Sequence, residues 1–295
     1  MLRPERPGPG AVVRMVAPSS PFDRARFEAG VTAIASMGLR PVFTQRVFEA
    51  DGYLAGPDAL RAADLADALS TGDADVVMAA RGGYGSMRIL DTLLRYPIRP
   101  VLFLGFSDLT AVHLLLNRLG MVSFHGPNVT TVPNLDPPSL LRLADLLLGR
   151  TDGFRYDGLA PVRGGRAEGT LLVGNLSIIS ALWGTPYAAR LAGSILVLED
   201  TGEAPYRIDR MLTQLSMQAE AGEVRGIAFG DLSVRGDDAL LVMRAIRDLS
   251  DRLKCPVVTN FPAGHGHVNY PVPVGVRALL DADSGTLCVL EEPWG

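Results

Sequence analysis

The stretches Ala74–Ala80 (ADVVMAA) and Val101–Phe106 (VLFLGF) set apolar residues side by side rather than alternately. A strand of that kind has no face to turn toward water, so it belongs inside a sheet covered on both sides. Ala11–Ala17 (AVVRMVA) and Ser194–Asp200 (SILVLED) have the same texture. Between the strands lie segments of helical spacing, Phe22–Met37 closed by Gly38, and Pro57–Leu69 with Leu60, Leu65 and Leu69 in phase. Strands alternating with helices in this way predict a parallel α/β sheet, whose ligands collect beyond the carboxyl ends of its strands.

The pattern resumes after a Pro- and Gly-rich interval. A helix is expected from Asn175, with Ile179, Leu182 and Trp183 in phase and so buried. It is followed by the strand Ser194–Asp200, a helix over Tyr206–Met217, a strand over Val224–Leu232, a helix over Asp237–Leu253 and a strand over Pro256–Phe261. Two terminal strands, Val276–Asp281 and Thr286–Glu291, complete the series. A chain of 295 residues exceeds the usual single core, so two domains are expected. The change in texture places them at 1–135 and 170–295, with a linker region over 136–169.

Net charge is −4 and no basic run appears, which argues against nucleic acid as a partner and for a small polar ligand. The start MLRPERPGPG lacks the apolar core of a signal peptide, and no stretch approaches the roughly 20 apolar residues of a membrane span. The expectation is a cytoplasmic protein without a membrane partner. Cys255 and Cys288 suit small buried hydrophobes better than one disulfide, and no Cys/His cluster has zinc spacing, so neither a metal nor another cofactor is expected.

Three strand ends carry chemistry. After Val101–Phe106 come Ser107-Asp108 and then Leu109, Val112, Leu116 and Leu119 at helical spacing. Ser107 is therefore a candidate nucleophile on a strand-to-helix turn, although Ser107 or Asp108 as a plain helix cap fits the same residues and the signature G-x-S-x-G is absent. The preceding strand ends in Arg81-Gly82-Gly83-Tyr84-Gly85, whose glycines can present N–H groups to an oxyanion, cradle a phosphate or simply turn the chain. A nucleophilic serine needs a base and an acid that orients it. Among His113, His125, His265 and His267, His265 lies between glycines at a strand's end, and Glu199 closes an apolar strand. Ser107 falls in one expected domain and its partners in the other, an order that suggests a cleft between domains.

MVAPSSP at 15–21, ARGGYGSMRIL at 80–90, GFSDLTAVH at 105–113, HGPN at 125–128, GNLSII at 174–179, LEDTGEAPYRIDRMLTQL at 198–215 and GHG at 264–266 resemble the LD-carboxypeptidase family. This serine peptidase family includes muramoyltetrapeptide carboxypeptidases and microcin C self-immunity hydrolases. The resemblance implies a Rossmann-like parallel-sheet N-terminal domain plus a smaller β-rich α/β C-terminal domain, commonly as a homodimer. It implies Ser107 as nucleophile, Glu199 as triad acid and His265 as base, with the N–H groups of Asp108 and of Gly83 or Gly82 as oxyanion hole. It also implies metal-free release of terminal D-alanine from a murein peptide, with cleavage after a diamino acid that is diaminopimelate or lysine. Recognition of the substrate carboxylate calls for an arginine or a backbone nest; Arg81, Arg207 and Arg210 are the candidate arginines, with no spacing to choose among them, and Tyr84 beside Arg81 is a further contact. Two other functions fit less of the pattern: hydrolysis of peptidyl or aminoacyl adenylate analogues, and ligand binding without catalysis.

Overall fold

The computed structural model describes residues 1–151 and 153–295. Its chain forms two compact units, one of Met1–Asp152, Tyr270–Pro273 and Pro293–Gly295, the other of Gly153–Asn269 and Val274–Glu292.

In the first unit β1 (Val12–Val16), α1 (Arg24–Ser36), β2 (Arg40–Val42), α2 (Asp58–Ser70) and β3 (Val76–Ala79) follow in turn. They are succeeded by the single turn α3 (Leu90–Leu93), β4 (Leu102–Gly105), α4 (Thr110–Arg118), β5 (Ser123–His125) and α5 (Pro137–Leu147). These five strands lie in the order β5-β4-β3-β1-β2, with β5–β4, β4–β3, β3–β1 and β1–β2 all paired in parallel. Residues of β3 and β4 are buried on both faces, as their unbroken apolar sequence requires. The order reverses between β1 and β3, and a crevice opens at such a reversal beyond the strands' carboxyl ends. Asp23 and Asp136 cap α1 and α5 by accepting N–H bonds from Arg26 (2.8 Å) and Ser139 (3.0 Å).

In the second unit β6 (Arg155–Tyr156), β7 (Ala160–Arg163), β8 (Arg166–Asn175), α6 (Leu176–Leu182) and β9 (Ser194–Glu199) come first. Then follow α7 (Pro205–Ser216), β10 (Gly226–Phe229), α8 (Asp237–Leu253) and β11 (Val257–Thr259). The chain next returns to the first sheet, adding β12 (Val272–Val274) beside β5, before β13 (Arg277–Asp281) and β14 (Thr286–Val289) close the second. The second sheet has eight strands in the order β6-β14-β13-β8-β9-β10-β11-β7. Its central run β8-β9-β10-β11 is parallel, with antiparallel strands at each flank. Ile208, Leu212 and Leu215 of α7 and Val242, Ile246 and Leu249 of α8 are buried, which accounts for the apolar stripe of each helix. Within the span 136–169, α5 belongs to the first unit, whereas β6 and β7 pair into the second unit's sheet.

Trp183 departs from the helical phase expected for it. α6 stops at Leu182, and Trp183 follows with extended backbone, φ −62° and ψ 138°, half-buried rather than in the core. Cys255 and Cys288 are both free, and burial pushes the Cys255 thiol up to about 11.

Candidate active site

Ser107, the candidate nucleophile, lies in the first unit. Phe106 continues β4 in extended backbone, and Ser107 then takes φ 68° at the start of a single 3-10 turn (Ser107–Leu109) that leads into α4. The left-handed region costs a residue with a Cβ roughly 1–2 kcal/mol. The surroundings hold the turn against that cost. Asn128 Oδ1 accepts the Phe106 N–H (3.2 Å), and the Gly105 carbonyl accepts both the Gly126 N–H (3.1 Å) and His113 Nε2–H (2.7 Å). A carbonyl only accepts, so His113 carries its proton on Nε2, and its Nδ1 accepts from the Ser123 hydroxyl (2.8 Å). Burial lowers the His113 pKa to about 4, so the ring is a neutral clamp at neutral pH.

The loop after β3 presses against this turn. A Cβ at Gly82 would stand 2.9 Å from Ser107 Cβ and 3.1 Å from its Oγ, so only glycine lets the two backbones approach so closely. Gly83, at φ 109°, likewise has no room for a side chain, because Ser20 Oγ would lie 2.5 Å from it. Ser20 accepts the Tyr84 N–H (3.0 Å) and donates its own N–H to the Gly82 carbonyl (3.3 Å). Asp108 fastens the loops together: its carboxylate accepts from Ser19 Oγ (2.5 Å) and the Ser86 N–H (2.8 Å), and its carbonyl accepts from Ser86 Oγ (2.5 Å). The Asp108 N–H stands in the first turn, where no intrahelical acceptor is available. The Gly83 N–H has no protein acceptor among the described residues. Ser107 is partly open to solvent at the end of β4.

Glu199 and His265, the candidate acid and base, lie in the second unit. Glu199 ends β9 fully buried, and His265 Nδ1–H donates to its Oε2 at 2.7 Å. That bond leaves Nε2 as the nitrogen able to take a proton. Burial raises the Glu199 carboxyl above the ordinary carboxylate range. Burial alone would lower His265, but its bond to Glu199 and the charges of Glu199, Asp200 and Asp231 outweigh it and leave the imidazole above its ordinary value. Gly264 brings the loop in. Its φ is 151°, and a Cβ there would meet Asp231 Cβ at 2.7 Å.

The neighbouring acid Asp200 has a structural role. It accepts from Asn175 Nδ2 (3.1 Å), the Ser177 N–H (2.9 Å), Ser177 Oγ (2.7 Å) and the Thr201 N–H (2.8 Å), while Asn175 caps α6 through the Ile178 N–H. This tie anchors the β8 end that pairs with Glu199. Of the two histidines in GHGH, His265 bonds Glu199, whereas His267 is exposed. Arg81 and Tyr84 are exposed on the glycine loop, with Arg81 Nη1 donating to the Pro21 carbonyl (2.6 Å) and Tyr84 packed edge-on to Tyr53 at 5.5 Å. Arg207 is on the open face of α7 with Glu203 (3.4 Å) and Tyr206, not with the Glu199–His265 pair. Ser19, Ser86 and Asn128 carry no signal of a site-building role in the sequence, and His113, weighed there among four histidines, is the clamp of the turn rather than a base. Among the described residues no group of three or more His, Cys, Asp or Glu side chains has a metal-binding arrangement, and no helix is long and apolar enough to cross a membrane.

A serine on a strained turn after a buried parallel strand, and a histidine held by a buried carboxylate, are the parts of a serine-type hydrolase. Residues 13–126 match the LD-carboxypeptidase N-terminal domain and residues 168–280 the C-terminal domain. The Pseudomonas aeruginosa murein tetrapeptide carboxypeptidase is 31% identical over 92% of this chain and 93% of its own. The Escherichia coli microcin C7 self-immunity protein MccF is 23% identical over 94% of this chain and 91% of its own. A solved structure of MccF in the inactive mutant apo state superposes with a TM-score of 0.88 at 20% identity, covering 100% of both chains, and so shares the fold. The chain belongs to the LD-carboxypeptidase family and is a serine-type carboxypeptidase.

Proposed function

We propose that Ser107 and the His265–Glu199 pair operate as one catalytic triad that removes the terminal D-alanine from murein tetrapeptides without a metal. The observation that carries this reading is the left-handed Ser107 backbone, φ 68°, kept at a cost that a glycine or a plain cap would avoid. Ser107 Oγ attacks the carbonyl of the diamino acid while His265 Nε2 takes the hydroxyl proton. Glu199 holds Nδ1–H and stabilises the imidazolium. The N–H groups of Asp108 and Gly83, with Gly82 giving the room, receive the oxyanion. The intermediate collapses as His265 gives the proton to the D-alanine amine, and water then releases the acyl-enzyme. Arg81, Tyr84 and Arg207 are the candidates for holding the substrate.

The likeness to the murein tetrapeptide carboxypeptidase supports this substrate, and the likeness to MccF supports the adenylate-analogue alternative. Ligand binding without catalysis is set aside by membership of a peptidase family. The test is D-alanine release from a murein tetrapeptide, followed by mass spectrometry in EDTA with the native enzyme and Ser107→Ala. Release by the native enzyme and a loss of about 10⁴-fold or more in the variant are expected. No release by the folded native enzyme contradicts tetrapeptide cleavage, and aminoacyl adenylate analogues become the next substrates to assay.

A further inference from the structure

The loops that follow β1 and β3 meet beside Ser107 and are fastened to each other from two sides. On one side Asp108 joins Ser19 to Ser86. On the other stands Arg61, in the first turn of α2, a cation only 2% exposed. Its Nη1 donates to the Pro18 carbonyl and to the Gly85 carbonyl (3.0 Å), its Nε to the Gly56 carbonyl (3.1 Å) and its Nη2 to Asp58 Oδ1. Pro18 and Gly85 are thus joined by a cation, and their neighbours Ser19 and Ser86 by an anion. Between the two ties run the direct bonds of Ser20 with the Gly82 carbonyl and the Tyr84 N–H.

Filling space does not account for Arg61. A buried guanidinium gives up its hydration, and an apolar side chain of similar volume would fill the same place without that cost. A planar fork, however, can fix several acceptors at set angles, which a lysine with its single nitrogen cannot do. Gly85 leaves the fork no slack: its φ is 129°, and a Cβ there would stand 2.8 Å from Arg61 Nη1 and 2.7 Å from Leu54 Cδ2. Asp58 balances the charge, and it is itself held by Arg88 Nε at 2.9 and 3.0 Å, which keeps its carboxyl below the ordinary carboxylate range. The loop so held contains Gly83, which has no side chain to pack and so depends on its neighbours for the direction of its N–H.

We infer that Arg61 is a positioning residue for the oxyanion hole: by clamping Pro18 and Gly85, each two residues from the Ser20–Gly83 contact, it fixes the direction of the Gly83 N–H. This role rests on that N–H being an oxyanion donor, as proposed above. Arg61 acts through the loop and not on the substrate.

Arg61→Lys keeps the charge and removes the fork. Ser107 sites are first counted by complete titration with a fluorophosphonate, so that any misfolded fraction drops out of the rate. Per titrated site, D-alanine release from a murein tetrapeptide should lose about ten- to hundredfold in kcat with KM unchanged, less than the loss of a whole oxyanion donor. The ascending limb of the pH profile should stay in place, since His265 keeps its partners. A loss that vanishes once sites are counted, or that falls on KM alone, assigns Arg61 to folding or to binding and overturns the inference. Should Arg61→Lys fail to fold, Asp58→Ala decides, because it frees one arm of the fork at a half-exposed position. A loss of about threefold in kcat at constant KM supports the role, and an unchanged kcat overturns it. If the native enzyme releases no D-alanine, tetrapeptide cleavage falls by itself, and the initial rate of Ser107 labelling takes the place of kcat, since the phosphonyl oxygen enters the same hole. Labelling slowed about ten- to hundredfold in Arg61→Lys supports the role, and equal labelling overturns it.

Discussion

Ser107 and His265 sit in surroundings of different kinds. Around Ser107 the parts are largely matters of shape: a left-handed φ, glycines without room for a Cβ, and a histidine clamp whose pKa lies near 4, while the Asp108 carboxylate is taken up in fastening the loops through Ser19 and Ser86. Around His265 the parts are charges, a fully buried Glu199 with Asp200 and Asp231 near enough to raise the imidazole. A nucleophile needs position, which shape supplies. A base needs the right proton affinity, which only charge and burial can set. The first half should then fail when atoms are added, and the second when charge is removed.

The largest effect in this contrast is expected at Glu199. Glu199→Gln keeps the shape and removes the charge, and should lower kcat/KM by about 10³ to 10⁴-fold, on the scale of triad acids elsewhere. The pH profile carries the finer signal. His265 must be neutral to act as base, and its pKa is raised, so the ascending limb of the native profile should lie above pH 6.5. In Glu199→Gln the larger counterweight to burial is gone and only the charges of Asp200 and Asp231 remain, so the limb should move to lower pH. A limb that stays in place would mean that Glu199 does not set the base.

Gly82→Ala should come next. It adds one methyl within 2.9 Å of Ser107 Cβ, and a displacement of the nucleophile on that scale costs about 10²-fold in kcat/KM. The limb of the pH profile should not move. If Gly82→Ala shifts the limb, the two halves are not divided into shape and charge as described.

The remaining effect is on stability and leaves the rate at neutral pH unchanged. His113 is neutral in the fold, with a pKa near 4 against 6.5 when unfolded. The unfolded chain binds the proton first, so the stabilisation is complete above pH 6.5 and falls by about 1.4 kcal/mol per pH unit as pH drops from there toward 4. Denaturant unfolding of native protein and His113→Gln at a series of pH values should show this slope in the native protein and lack it in the variant. Parallel curves would assign the acid sensitivity to other groups.

Much of the fold was legible because burial writes itself into the sequence. Continuous apolar runs marked β3, β4 and β9, and periodic ones marked α8, expected and found over Asp237–Leu253. Strands made by their partners were not legible. β6 has two residues, and β12 is Val-Pro-Val, too short to carry a period. The turn at Ser107 was legible in outline, but its 3-10 start and left-handed serine depend on Gly82, Asn128 and His113, which lie elsewhere in the chain. Glu199 and His265 are 66 residues apart, and no local spacing prefers His265 to His267. The family's GHG motif pointed to His265, and the 2.7 Å bond shows what distinguishes it.

In the proposed triad a serine built by shape is activated by a histidine built by charge. The most direct measurement is the rate at which a fluorophosphonate labels Ser107, taken across pH in the native enzyme and in His265→Ala. The native rate should rise with the titration of one group above pH 6.5, and the rate in His265→Ala should be slow and lack this rise. Labelling of Ser107 at the same rate and with the same pH dependence in both would contradict it.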